Sequence, residues 1–196
     1  YIAKRYAGNN AIIGYDLMNE PFSGSTSKEV GIAWLAAYAK MVYSTTGKTM
    51  SKDELAAILT NEEKKKEALQ MVSTKSNYQQ VVDALEPFSK QFEENILQQF
   101  YQKVSVAIRS VDTTHIIFLE HSYLGNAGVP SCIKRTTLSN GQPDYKVAYA
   151  GHGYDIVTDT KETGNASSER VEFIYDRIKI KGEQLNMPVW LGEWGA

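Results

Sequence analysis

Only one cysteine, Cys132, occurs among the 196 residues. It has no partner for an intrachain disulfide, and zinc sites built from several cysteines are excluded. The three histidines are far apart and form no His-Glu-x-x-His pattern, so metal-ligand spacing is lacking too. No run of about 18 apolar residues exists, which excludes a membrane-spanning helix. Neither sign of charge dominates. Lys plus Arg number 21 and Asp plus Glu 23, a net charge of -2, so there is no electrostatic case for nucleic acid or an anionic membrane. Walker A and dinucleotide glycine patterns are missing, and Gly125 to Gly128, GNAG, is too short and badly placed for a phosphate. Without a Gly-x-Ser-x-Gly elbow, a serine hydrolase of that type lacks its nucleophile. No repeat or low-complexity tract stands out. What remains is an ordinary globular composition, 42% hydrophobic and 22% charged, with length for one core but not for two comfortable domains.

The chain starts at Tyr1 rather than Met, in what reads as the end of a helix, and stops at Ala196 after a strand-like run. No signal peptide is visible, which says nothing about export when no native start is in view. These ends suggest a piece of something larger. Between them, short apolar runs ending in polar residues alternate with helical stretches. The runs are Ala11 to Met18, His115 to Leu119, Lys146 to Ala150 and Pro188 to Leu191, and they fit buried parallel strands. Lys28 to Ser44 carries a broad apolar face. Ser51 with Glu54, and Thr60 with Glu63, read as capping boxes. Phe88, Phe92, Ile96, Phe100, Val104 and Ile108 recur every four residues and predict the buried face of one long helix. Arg170 to Leu185 supplies the last helix. Strand alternating with helix implies a parallel α/β architecture. Residues 44–87 exceed a simple crossover and read as a helical insertion; the charge run Glu62 to Glu67 within it reads as a solvated face.

Ligands bind at the C-terminal ends of strands in such folds. Two of those ends carry a glutamate: Asn19-Glu20-Pro21 and Gly192-Glu193-Trp194-Gly195. Singly, each also fits a helix-entry carboxylate or a surface ion pair. Jointly, on one sheet edge, they make a candidate acid/base pair. Glycoside hydrolysis needs two carboxyls across the scissile bond, one protonated and one ionised. Glu120, His121 and Tyr123 end the second run and are candidates for binding sugar hydroxyls. Trp194 fits either packing or a sugar platform, and Trp190 fits packing. His115, at the other end of its strand, reads as structural. Asn165-Ala166-Ser167 is a glycosylation sequon of the kind that arises by chance.

Ile12 to Phe22, IIGYDLMNEPF, closely resembles the fourth-strand signature of glycoside hydrolase family 5, the cellulase-like retaining hydrolases. Tyr1 to Asn10 is similar to the end of that family's third helix. Gly151 to Tyr154, GHGY, resembles its sixth-strand His-x-Tyr element, and Met187 to Ala196, MPVWLGEWGA, its seventh strand. The resemblance implies a (β/α)8 TIM barrel of which this chain carries strands four to seven, with strands one to three before Tyr1 and strand eight after Ala196. Residues 1–196 are then part of a single catalytic domain, a partial barrel with exposed apolar edges.

The same resemblance assigns roles. Glu20 matches the acid/base, Asn19 the partner of the sugar 2-hydroxyl, Glu193 the nucleophile, and His152 and Tyr154 the pair lining the centre. It implies retention through a covalent glycosyl-enzyme, no metal or organic cofactor, and a secreted or periplasmic protein. It implies a β-linked oligo- or polysaccharide substrate, β-1,4-glucans first, with mannans and other β-glucans close behind. Phe100 to Glu120 resembles the endoglycoceramidase-like branch, which would make the substrate a glycolipid. A catalytically inactive carbohydrate-binding fragment of the same fold is the remaining alternative.

Overall fold

A computed structural model describes residues 1–195. Four parallel strands form one sheet in the order β1-β2-β3-β4. They are β1 (Gly14–Asp16), β2 (Ile116–Glu120), β3 (Val147–Tyr154) and β4 (Val189–Gly195). The sheet is a half-barrel, with helices on one face. Each strand begins where an apolar run was expected, but the limits differ. β1 keeps only three residues of Ala11 to Met18. β3 and β4 run past their apolar cores, because the backbone ladder continues to Tyr154 and Gly195. His152, Tyr154 and Glu193 therefore sit within strands, not beyond them.

Helices α1 (Ile2–Tyr6) and α2 (Ser27–Thr46) come first. Next are α3 (Lys52–Thr60), α4 (Glu62–Met71) and α5 (Lys75–Asp83). Ser51 and Glu54 form the expected capping box on α3. The second box does not form. Thr60 stays in α3, its hydroxyl on the Ala56 carbonyl, and Asn61 caps α4 by accepting from the Lys64 N–H. A short amide side chain one residue later does the same job.

The long amphipathic helix is present as α6 (Glu86–Phe92), a π-helical turn (Glu93–Leu97) and α7 (Gln98–Arg109). Its buried line is not the expected one. Ser89, Glu93, Leu97, Tyr101 and Ser105 are buried, while Ile96 is exposed. The two lines are one residue apart. Glu93 decides between them, because its carboxylate accepts from Ser122 N–H (2.8 Å), the Ser131 hydroxyl (2.9 Å) and Cys132 N–H. A charge-assisted network outweighs the shallow burial an aliphatic stripe would gain. The last helix is α8 (Ser168–Leu185).

Alternation along the strands sets two faces. Ile117, Leu119, Val147 and Tyr149 join Leu97, Tyr101, Phe173, Ile174 and Ile178 in the main core. Gly151 and Gly153 continue that face, where a Cβ would run into Ile178 and Tyr175 of α8. Phe118, Ala148 and Ala150 form a small cluster on the opposite face, with Trp190 against Phe118. Glu120, His152 and Tyr154 follow on that second face.

Candidate active site

The second sheet face and the C-terminal strand ends hold the two glutamates. Glu20 follows β1 with φ of 45°. Few residues other than glycine adopt that left-handed backbone, and it marks strain at functional positions. Its N–H donates to Glu120 Oε2 at 2.7 Å. Its carboxylate Oε1 accepts from Asn126 Nδ2 at 2.7 Å and stands 3.1 Å from His152 Nδ1. Oε2 of Glu20 bonds to none of the described residues.

Strict alternation along β4 would put Trp190, Gly192 and Trp194 on the site face and turn Glu193 away. The register shows how this is avoided. Gly151 pairs with Leu191 and Gly153 with Trp194, so β4 holds one extra residue opposite His152. That bulge re-aims Glu193. Gly192 at the bulge also makes room for the ring, since a Cβ there would lie 2.9 Å from His152 Nε2. Glu193 Oε2 accepts from the Tyr154 hydroxyl at 2.8 Å and lies 3.7 Å from His152 Nδ1. Burial and this bond push the Tyr154 phenol up to about 12, so it keeps its proton and donates.

One carboxylate oxygen of Glu20, one of Glu193 and a ring nitrogen of His152 all lie within 4.8 Å of one another. Those three donors would be close enough to surround a cation. Each is already engaged, Glu20 by Asn126, Glu193 by Tyr154 and His152 between them. Glu20, Tyr123, Asn126, Tyr154, Asp159 and Glu193 line a cavity of about 420 Å³.

His152 is buried among Glu20, Glu120 and Glu193. Glu120 and His121 are 1% and 2% exposed, so neither reaches the open cavity where sugar hydroxyls would lie. Burial, first, and the neighbouring Asp16 side chain push the Glu120 carboxyl up to about 9. Burial likewise lowers His121, whose Nδ1 bonds the Ser122 carbonyl. Tyr123 lines the cavity and packs edge-on against Phe22. Asn19 is exposed and outside the lining, and Trp194 is 71% exposed beside the site. His115 bonds Asp112 and the Asn9 carbonyl at the far strand end.

Sequence reasoning did not single out Asn126 or Glu93. Asn126 sits in the 3-10 turn Tyr123–Ala127, inside the GNAG stretch weighed only as a phosphate loop. Glu93 anchors the two sides of the segment that carries it. A lone Asn in a loop and a Glu on a helix leave no pattern that would reveal either role.

Residues 59–196, more than two thirds of the chain, match the family described as Cellulase (glycosyl hydrolase family 5). The chain belongs to glycoside hydrolase family 5. Glu193 lies inside the matched stretch and Glu20 before it.

Among solved structures the chain is similar to endo-glycoceramidase II from Rhodococcus sp. With its cellobiose-like isofagomine complex the TM-score is 0.49 at 21% identity, covering 96% of this chain and 29% of that one. With its lactosyl-enzyme intermediate the TM-score is 0.46 at 21% identity, covering 100% and 30%. With its ganglioside GM3 complex it is 0.42 at 20% identity, covering 96% and 30%. The chain thus spans about 30% of the length of these structures. A comparison with curated proteins found no match.

Proposed function

We propose that this chain carries the catalytic pair of a retaining β-glycoside hydrolase, with Glu20 as acid/base and Glu193 as nucleophile. One observation carries the reading: oxygens of the two carboxylates stand within 4.8 Å over one cavity. Retaining enzymes hold their carboxyls about 5–5.5 Å apart, whereas inverting enzymes leave about 6.5–9.5 Å for a water.

The chemistry follows from the contacts. Glu193 attacks the anomeric carbon while Glu20 gives its proton to the departing glycosidic oxygen. Asn126 donates to Glu20 Oε1 and His152 Nδ1 faces the same oxygen, which leaves Oε2 for that proton. Tyr154 holds the attacking carboxylate in line and releases it as the glycosyl–enzyme bond forms. Glu20, now ionised, takes a proton from water, and the water cleaves the covalent intermediate with net retention. The substrate is a β-linked glycan, with β-1,4-glucan first. Asn19, Trp194 and the cavity-lining Tyr123 are proposed to contact it. Residues 1–196 are proposed to be one part of a single catalytic domain, with 44–87 as its helical insertion, in a secreted or periplasmic protein.

Mechanism-based labelling tests the reading. A 2-deoxy-2-fluoro β-glycoside should leave a mass adduct on Glu193, absent in Glu193→Gln and slowed in Glu20→Gln. Hydrolysis of β-glucan, β-mannan and a glycosphingolipid then ranks the leaving groups. A folded chain that takes no adduct and cleaves none of the three would overturn it, and would leave a carbohydrate-binding role.

A further inference from the structure

Glu120 ends β2 on the site face, yet both its oxygens are shut away from solvent. Oε2 accepts the N–H of Glu20. Oε1 is a buried oxygen with no hydrogen-bond partner in the present arrangement, and it stands 3.3 Å from His152 Nε2. The Asp16 side chain of β1 and the Glu20 carboxylate both disfavour charge on this carboxyl. The groups facing it are Asp16 from β1, Glu20 from the following loop, His152 from β3, and the Tyr101 hydroxyl from α7, which bonds its main-chain oxygen. None of these is a Lys or Arg. A buried carboxyl beside two other carboxyls, with no cation to pair it, favours its neutral form.

The other side of the imidazole points the same way. His152 Nδ1 faces Glu20 Oε1 at 3.1 Å and Glu193 Oε2 at 3.7 Å. Two carboxylate oxygens call for an N–H at Nδ1. In a neutral ring that makes Nε2 an acceptor. An acceptor set beside an orphaned buried oxygen is satisfied when that oxygen carries the proton.

We propose that Glu120 stands as a neutral carboxylic acid whose Oε1–H donates to His152 Nε2, locking His152 as the Nδ1–H tautomer aimed at Glu20 and Glu193. Glu120 is then a positioning residue that holds the acid/base twice. Oε2 fixes the left-handed main chain of Glu20, and Oε1 acts through His152 on its carboxylate. The consequence for catalysis rests on the proposed roles of Glu20 and Glu193, while the hydrogen bond itself does not.

Ring-nitrogen NMR of this chain labelled with ¹⁵N-histidine tests it at neutral pH. His152 should show a protonated Nδ1 and a bare Nε2. Glu120→Gln places an amide N–H where the acid O–H stood and should keep that tautomer. Glu120→Leu should lose it. Infrared spectra should show a protonated carboxyl band that disappears in Glu120→Gln. An imidazolium or an Nε2–H tautomer in the wild-type chain would overturn the proposal, as would a tautomer indifferent to Glu120→Leu. If the Leu variant does not fold, the wild-type and Gln spectra decide alone. None of these readouts uses hydrolysis. A chain that cleaves nothing but shows the tautomer sinks the proposed activity and keeps this inference, and the reverse result sinks only this inference.

Discussion

β3 and β4 both supply groups to the site, but they are built differently. Every residue of β3 from Val147 to Gly153 is buried, and the strand is paired on both sides. β4 is exposed from Val189 to Trp194 and, among the described residues, pairs on one side only. The group that β3 places deepest is His152, fixed between three carboxyls. The group that β4 offers is Glu193, tied among the described residues by a phenol and an imidazole alone. The division has a physical logic. A residue that orients others gains from being overdetermined, whereas the nucleophile role proposed for Glu193 requires it to leave its resting contacts to attack carbon.

The sharpest way to break the contrast is to loosen β3. Asp155 follows it directly, fully buried, and pairs with the equally buried Arg170 at 2.8 Å. Arg170 also bonds the carbonyls of Leu69 and Asn165, so one guanidinium ties the strand end to α4 and α8. Arg170→Met leaves Asp155 charged and unpaired in the core. A stability loss of about 3–5 kcal/mol is expected, read from urea unfolding. A loss within error of wild type would show that β3 owes its rigidity to apolar packing alone.

β4 should respond differently when its tie to β3 is cut. Tyr154→Phe removes the hydroxyl from Glu193 but touches nothing in the core. A hydrogen bond to a charged group is worth about 1.5–3 kcal/mol, so the inhibitor-labelling rate should change by about ten- to a hundredfold. The unfolding midpoint should stay in place. A matching fall in stability would mean that β4 is held by this bond and is not free to act.

How far the sequence discloses this arrangement can be argued from single residues. The strand sites were legible because Ile116 to Leu119 and Val147 to Ala150 are apolar runs that only a buried strand accommodates. That Glu20 and Glu193 meet at one sheet edge was legible from their neighbours. The aim of Glu193 was not, because it depends on one extra residue in β4, and no residue type encodes a bulge there. The choice of Glu93 over Ile96 for the inner helix line was hidden as well. It depends on N–H groups of Ser122 and Cys132 that arrive from another part of the chain. Glu120, a candidate for sugar contact from its strand-end position, lies buried, because position along a strand does not reveal depth.

Gly192→Ala tests the seam between the two strands. The added Cβ would come within 2.9 Å of His152 Nε2, so either β4 must lift or the ring must turn. Overpacking of this kind costs about 1–3 kcal/mol, and exposed β4 is the element that can give way. Amide hydrogen exchange should therefore rise at Leu191, whose strand pairs with Gly151, while Ala148 and Ala150 stay protected. Equal loosening of both strands would erase the distinction between them.

The smallest effect concerns the far end of the sheet, where β1 meets β2. The Tyr15 hydroxyl donates to Asp112 Oδ2 at 2.7 Å, and His115 Nδ1 meets the same oxygen at 2.6 Å. His115 Nε2 lies 3.1 Å from the Asn9 carbonyl. Both ring nitrogens thus face acceptors, which suits the imidazolium. The Asp112 bond first, then the Asn9 carbonyl, raises His115 above its ordinary value of 6.5. A group raised on folding binds its proton more tightly in the folded chain. Its contribution is complete below pH 6.5 and fades as pH climbs through the raised folded value. The melting temperature of the wild type relative to His115→Gln should accordingly shrink on the alkaline side and stay constant on the acid side. Hydrolysis-site labelling, measured at a fixed pH, should not change, because this polar clasp braces β1 at the end opposite Glu20. A difference that grows with pH would mean His115 is held neutral, and β1 would then need another brace.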